Sequence, residues 1–263
     1  MIRALVLSFA IAAAAYSPLS AAPMKVSATY EISLAGWGLA RANLNFTMQD
    51  GKYEADLFMK PKGVARVVTA VRTSVSAAGR VRRGVVQPSR YAVRADEIDR
   101  PVAVDMKLNA GTVSSLRATP PLKKRPDRVS VTNAHRRNIV DPISSGLLPI
   151  NSADGRDACD NTMKIFDGWT RYDVRWSYAG TERVQTKGYS GRAIVCNARW
   201  VPVAGHRRNK KEVQYLARNK RLKMWVIPLP AERVAIPYKV SIGTPNGTIL
   251  IAPSSMQISG AGV

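Results

Sequence analysis

Met24-Lys25-Val26-Ser27-Ala28-Thr29-Tyr30-Glu31-Ile32-Ser33-Leu34 is the stretch that decides the fold class. Met24, Val26, Ala28, Tyr30, Ile32 and Leu34 fall on one side of an extended chain, and Lys25, Ser27, Thr29, Glu31 and Ser33 on the other. A strand repeats its facing every two residues, so this is a half-buried strand with one face on a core and one in water. Outward from it, Gly36-Trp37-Gly38 turns the chain into a second strand with Ala40, Ala42, Leu44, Phe46 and Met48 on its apolar face. Asp50-Gly51 then signals a hairpin, because a two-residue turn that matches strand twist needs positive φ at both positions. Tyr53, Ala55, Leu57 and Met59 continue the alternation.

The same period returns far along the chain. Val102, Val104, Met106 and Leu108 alternate with polar neighbours before Ala110-Gly111, and Tyr172, Val174, Trp176 and Tyr178 do so before Ala179-Gly180. Segments near 64–78, 81–95, 184–189, 192–203, 212–218, 221–229, 233–242 and 247–252 also read as strands. About twelve strands joined by tight turns predict antiparallel sheet rather than βαβ units. That many strands must curl, close or split, and the one wet face per strand favours a curled or incompletely closed barrel. One helix is expected: Asp141-Pro142 is a cap followed by proline at the first helical position, Ile143–Leu148 would form the helix, and Pro149 would stop it. It would serve as a plug or lid.

The first 22 residues form a separate unit. Met1-Ile2-Arg3 precedes the apolar run Ala4–Ala15 and the small-residue exit Tyr16–Ala22, the pattern of a secretory signal peptide. The run is shorter than the ~20 apolar residues of a membrane span, and no second long apolar run follows. Ser20-x-Ala22 and Ala13-x-Ala15 are alternative cleavage points, and a lipid-bearing cut is excluded because the first cysteine is Cys159. Residues 23–263 are expected to form one β-barrel-like domain in the periplasm. Removing Arg3 leaves a net charge of +22 − 1 = +21. Export turns that charge away from nucleic acid and towards anionic lipid or an acidic envelope protein. The basic clusters at 80–83, 123–125, 136–137, 207–211 and 220–223 are spread along the chain, and a binding stripe requires several of them to converge.

Cys159 and Cys196 are the only cysteines, 37 positions apart. In an oxidising compartment an isolated pair reads as a disulfide, worth ~3–4 kcal/mol for a loop of this length. A redox-active pair lacks the CxxC spacing, and metal binding has only His135 and His206 to draw on. No cofactor is called for. Nucleophile elbow, HExxH, P-loop and dinucleotide patterns are all missing. Should the protein be an enzyme acting on an envelope polymer, Asp141, Asp167 and His206 are the acid–base candidates.

Asp141-Pro142-x-Ser144, Cys159, Phe166-Asp167-Gly168-x-x-Arg171-Tyr172, Cys196 and Pro202-x-Ala204-Gly205-His206 together resemble the exported bacterial domain-of-unknown-function 3108 family, from about Tyr30 to Thr248. The resemblance implies a periplasmic β-rich domain with a Cys159–Cys196 bridge; the family has no established activity, so no catalytic role is carried over. A more remote similarity in design is to envelope-integrity proteins with a broken β-barrel. The resulting expectation is a non-enzymatic periplasmic binding or scaffold protein that supports the envelope and holds a lipid-like or anionic ligand. Arg171, Tyr172, Trp176, Tyr178, Trp200, His206 and Trp225 are the candidate pocket or rim residues. A purely structural interaction module is the remaining alternative.

Overall fold

The computed structural model describes residues 22–63, 71–96 and 101–260. The signal-peptide reading lies outside them but for Ala22, as does 64–70 of the strand expected at 64–78. Fourteen antiparallel strands make one sheet. The first seven are β1 (Met24–Leu34), β2 (Trp37–Gln49), β3 (Lys52–Pro61), β4 (Arg72–Arg82), β5 (Val85–Asp96), β6 (Val102–Asn109) and β7 (Thr112–Thr119). The rest are β8 (Leu148–Pro149), β9 (Thr162–Phe166), β10 (Arg171–Thr186), β11 (Tyr189–Ala204), β12 (Leu222–Leu229), β13 (Val234–Thr244) and β14 (Gly247–Ser259).

Chain neighbours are sheet neighbours almost throughout, and the exception organises the fold. β1 pairs with β2 on one side and with β14 on the other, so the first and last strands meet in the middle of the sheet. The sheet edges are β7 and β9, and no ladder joins them among the described residues. The barrel is therefore curled but unclosed, as its alternation predicts.

Loops and side chains fill the seam. Val140 runs parallel beside β9, donating to the Lys164 carbonyl (2.8 Å) and accepting from the Phe166 amide (3.0 Å). Its neighbour Ile139 donates to the Gly111 carbonyl in the β6–β7 turn (2.9 Å). Phe166, fully buried, packs among Ala77, Tyr91, Val104 and Met106 from the opposite side of the gap. Residues 167–170 turn the chain between β9 and β10, with the Asp167 amide donating to the Thr170 carbonyl (3.2 Å), so that Phe166 pairs with Arg171 and Ile165 with Tyr172.

The Asp50-Gly51 turn forms as read, with φ of 51° and 71°. Three expectations change. Ser144–Gly146 is a single 3₁₀ turn, and Leu148-Pro149 is extended against Val234 and Ala235 of β13, so the expected helix is absent. Gly146 and Pro149 leave too few residues for helix nucleation to be repaid. Among the described residues an α-helix stands instead at Lys211–Arg218 (α1), where the sequence reading placed a strand. Val213 and Tyr215 alternate, but Lys211, Glu212, Gln214, Leu216, Ala217 and Arg218 are strong helix formers, and here propensity prevails. Finally, β10 does not end at Ala179-Gly180. A bulge between Tyr178 and Gly180 lets it continue to Thr186.

The Cys159–Cys196 disulfide forms, tying the 3₁₀ turn Arg156–Cys159 to β11 inside an apolar cluster with Leu148, Ile150, Ile194 and Val226.

A candidate functional site in the hollow of the sheet

Curling leaves a hollow of about 490 Å³. One wall is the alternating apolar face of the first three strands: Val26, Tyr30 and Ile32 of β1, Ala42, Leu44 and Phe46 of β2, and Ala55, Leu57 and Met59 of β3. The other wall is Tyr172, Val174 and Trp176 of β10, with Met224, Ile236, Val240 and Ile251 from the strands beyond. Residues 142–147 close over it as a plug. Its volume lies within the ~300–1,000 Å³ usual for small-molecule sites.

Hydroxyl groups along this lining, that of Tyr172 aside, are already engaged. Tyr30 donates to the Pro237 carbonyl (2.9 Å), Tyr238 to the Gln185 carbonyl (3.0 Å), and Ser145 to the Pro142 carbonyl (2.8 Å). Burial pushes the phenols of Tyr30, Tyr53, Tyr172 and Tyr238 above their ordinary value, so they stay neutral. Lys239 is the one basic side chain in the lining, and its ammonium sits 3.7 Å from the centre of the Trp225 ring. What remains to a ligand is hydrocarbon surface, with the buried Trp176 indole N–H as an unpartnered donor.

The plug is held by a buried polar chain. Asp141 is fully buried. Its Oδ1 accepts from the amides of Ile143 (3.0 Å) and Ser144 (2.9 Å), and its Oδ2 accepts from the Ser144 hydroxyl (2.5 Å). The Ser144 hydroxyl in turn lies 2.6 Å from the Tyr53 hydroxyl on β3. The capping role read from Asp141-Pro142 is thus performed, on a 3₁₀ turn instead of a helix. Burial raises the Asp141 carboxyl to about 6 although these hydrogen bonds pull it down.

Of the candidate pocket residues, Tyr172 and Trp176 line the hollow. Trp200 stacks on Tyr172 (5.8 Å between ring centres) and so supports that wall from outside the lining. The others are elsewhere. Arg171 is buried and 2.6 Å from Asp173, charge to charge. Tyr178 is exposed beneath the Arg156 guanidinium. Trp225 is in the core, its indole donating to Glu182 (2.7 Å). His206 occupies the turn after β11, where burial lowers its pKa. The acid–base candidates do local structural work: Asp167 accepts from the amides of Trp169 (2.8 Å) and Thr170 (2.6 Å), as Asp141 does in the plug. Among the described residues no group of three His, Cys, Asp or Glu side chains could hold a metal ion, and no helix is long and apolar enough to cross a membrane.

Sequence reasoning missed the contribution of β1–β3 to the site. Their apolar faces were legible, but the sense in which the sheet curls was not. It also missed Tyr53 as the anchor of the plug, for which the alternation Tyr53-x-Ala55-x-Leu57 signals only burial.

A family model described as "Protein of unknown function (DUF3108)" matches residues 29–251, and the chain belongs to that family. Among solved structures, the chain is similar to a beta-barrel-like protein of domain of unknown function DUF1849 from Brucella abortus. That similarity has a TM-score of 0.48 at 9% identity, covering 90% of this chain and 98% of that one. No curated protein matches.

Proposed function

We propose, with membership in that family as the premise, that the protein is a non-enzymatic binding protein of the periplasm that holds the apolar chain of a lipid-like ligand in its hollow. The observation that carries this is the lining: a cavity of about 490 Å³ bounded by apolar side chains whose neighbouring hydroxyls, that of Tyr172 aside, are already paired. Such a cavity gains from burying hydrocarbon at ~0.8 kcal/mol per methylene. Affinity should then climb about fourfold per added carbon until the hollow is full. Export supports the reading from two sides, the secretory pattern of residues 1–22 and a disulfide of the kind that persists in oxidising compartments. Envelope support is the role such a carrier would fill.

Native mass spectrometry of protein purified from periplasm, with lipid extraction, tests the proposal. Co-purifying lipid that is lost in Leu44→Trp, a change that fills the hollow, is the expected result. Apo protein in a stable complex with another protein would replace the carrier with a scaffold. Turnover of an envelope polymer, abolished by Asp141→Asn or His206→Ala, would replace it with an enzyme.

A further inference from the structure

A second cavity, of about 560 Å³, lies along residues 122–136, the segment that follows β7. Lys123, Lys124, Arg125, Arg128 and Arg136 line it, with Leu122 and Val131 as its apolar part. Two basic clusters that are separate in the sequence thus converge on one groove. Backbone bonds to the turn after β11 hold it in shape: Val129 donates to the His206 carbonyl (3.0 Å), Gly205 to the Val129 carbonyl (2.8 Å) and Arg208 to the Asp127 carbonyl (2.9 Å). The Arg128 guanidinium adds a bond to the Gly205 carbonyl (2.5 Å).

The charge in the groove is not cancelled from within. Asp127 is the only acidic residue between positions 120 and 140, and its carboxylate is bound by Arg207 at 2.8 Å, with Arg125 acting at longer range. Among the described residues no carboxylate reaches ion-pair distance of any of the five lining cations. The Nε atoms of Arg128 and Arg136 are also buried with no hydrogen-bond partner. A buried charged N–H is seldom left unmatched. Planar guanidinium forks suit the oxygens of a phosphate, and five cations call for an anion of more than one charge. A cavity of this size takes one head group, not a polymer.

We propose that this groove binds a multiply charged phosphate group. The proposal is independent of the hollow. Full mature protein would be titrated calorimetrically with inorganic pyrophosphate and, separately, sedimented with vesicles of phosphatidylcholine alone or with phosphatidic acid, whose phosphomonoester head group can carry two charges. Saturable one-to-one uptake of pyrophosphate, weakened about tenfold or more in Lys123→Gln/Lys124→Gln/Arg125→Gln, supports a free phosphate compound. Binding only to the phosphatidic acid vesicles, with the same loss, supports a membrane head group. These three side chains are exposed, so an unchanged thermal melt should accompany the loss. Arg80→Gln/Arg82→Gln/Arg83→Gln removes equal charge elsewhere and should leave binding intact. Equal weakening by this control would mean a general cationic field, and the proposal fails. It fails also if neither probe binds at ~0.1 M salt, where screening still leaves close contacts effective, or if the first triple variant binds like the wild type.

Discussion

The strands before residue 120 and those after residue 161 share one sheet but are held in different ways. In the first group the turns at 35–36, 50–51, 83–84 and 110–111 are two residues long with positive φ throughout, and the ladders follow from them with little outside help. The second group is preceded by residues 120–161, which contain only the two-residue β8 and three 3₁₀ turns. Backbone groups there find partners far away in sequence, as when Ile150 donates to Arg233 or Val140 to Lys164. A hairpin is specified by its turn, whereas a long irregular segment is specified only by what it docks on. Ordering it costs entropy that local bonds do not return, and this segment accordingly carries one end of the disulfide and most of the buried polar chain, which reaches across to Tyr53 of β3.

Removing the disulfide is the most direct way to break this contrast. Cys159→Ser/Cys196→Ser should cost about 3–4 kcal/mol on the loop-closure account, lowering Tm by about 6–16 °C for a chain of this size. Hydrogen exchange should show protection falling first across 150–161 and β9–β11, while β1–β4 keep theirs. An even loss over the whole sheet would show that the two groups unfold as one and that the contrast is only topological.

Asp141 sharpens it next, through pH. An unfolded aspartate titrates near ~3.9, and folded Asp141 near about 6. Between those values the folded state holds a proton that the unfolded chain has released, so stability falls as pH rises through the window and stays lower above it. A gap of this size corresponds to about 2–3 kcal/mol. Asp141→Asn retains an acceptor for the Ile143 and Ser144 amides without the charge. Chemical denaturation from pH 4 to 7.5 should therefore show the variant gaining on the wild type by about that amount between pH 4 and 6, then running parallel. A constant difference would mean that the hydrogen bonds already compensate the buried charge.

This contrast also explains what could be read in advance. Period-two alternation and Asp50-Gly51 are local signals, and they gave β1–β3 and their turn correctly. The cysteines announced their bond by being the only two in a sequence that reads as exported. The plug was half legible: Asp141 caps as its sequence suggests, but Gly146 and Pro149 restrict it to one turn, and its partner Tyr53 lies 91 positions from Ser144. The hollow was least legible. Alternation says which residues share a face, but the curl that brings Leu57 and Trp176 around one cavity is a property of the whole sheet. The basic groove was hidden for the same reason, since Arg136 and Lys123 converge only after the loop docks.

Tyr53 joins the two regions, and its effect should be smaller. Tyr53→Phe removes the hydroxyl that meets Ser144 but leaves Ser144 bonded to Asp141, so no buried donor is orphaned. The cost should be about 1 kcal/mol, measured by urea denaturation with an unchanged m-value. Exchange should quicken at the amides of residues 143–147 before anything changes in β1–β3. If β3 loosens first, the first group depends on the plug and the contrast fails at its boundary.

The smallest effect belongs to the carboxylate of β1, and it should carry the opposite sign to Asp141. Partial burial pushes Glu31 up, but hydrogen bonds and charge from Lys62 and Arg41 outweigh it and hold the group below its ordinary value. Its ion pairs, 2.5 Å to Arg41 and 3.0 Å to Lys62, join side chains that are 31%, 43% and 46% exposed. A lowered folded pKa stabilises above the unfolded value, and that contribution is lost as pH falls. Water and salt screen pairs this open, so Glu31→Gln should cost less than about 1 kcal/mol at low ionic strength and nearly nothing in ~1 M salt, where the Debye length is about 3 Å. Acidification from pH 7 should therefore relieve the penalty at Asp141 first and erase what Glu31 contributes only as pH falls below its unfolded value of ~4.3. The two single variants, titrated side by side, should diverge from the wild type in opposite directions across that range. Parallel curves would show that burial does not separate the local first region from the docked second one.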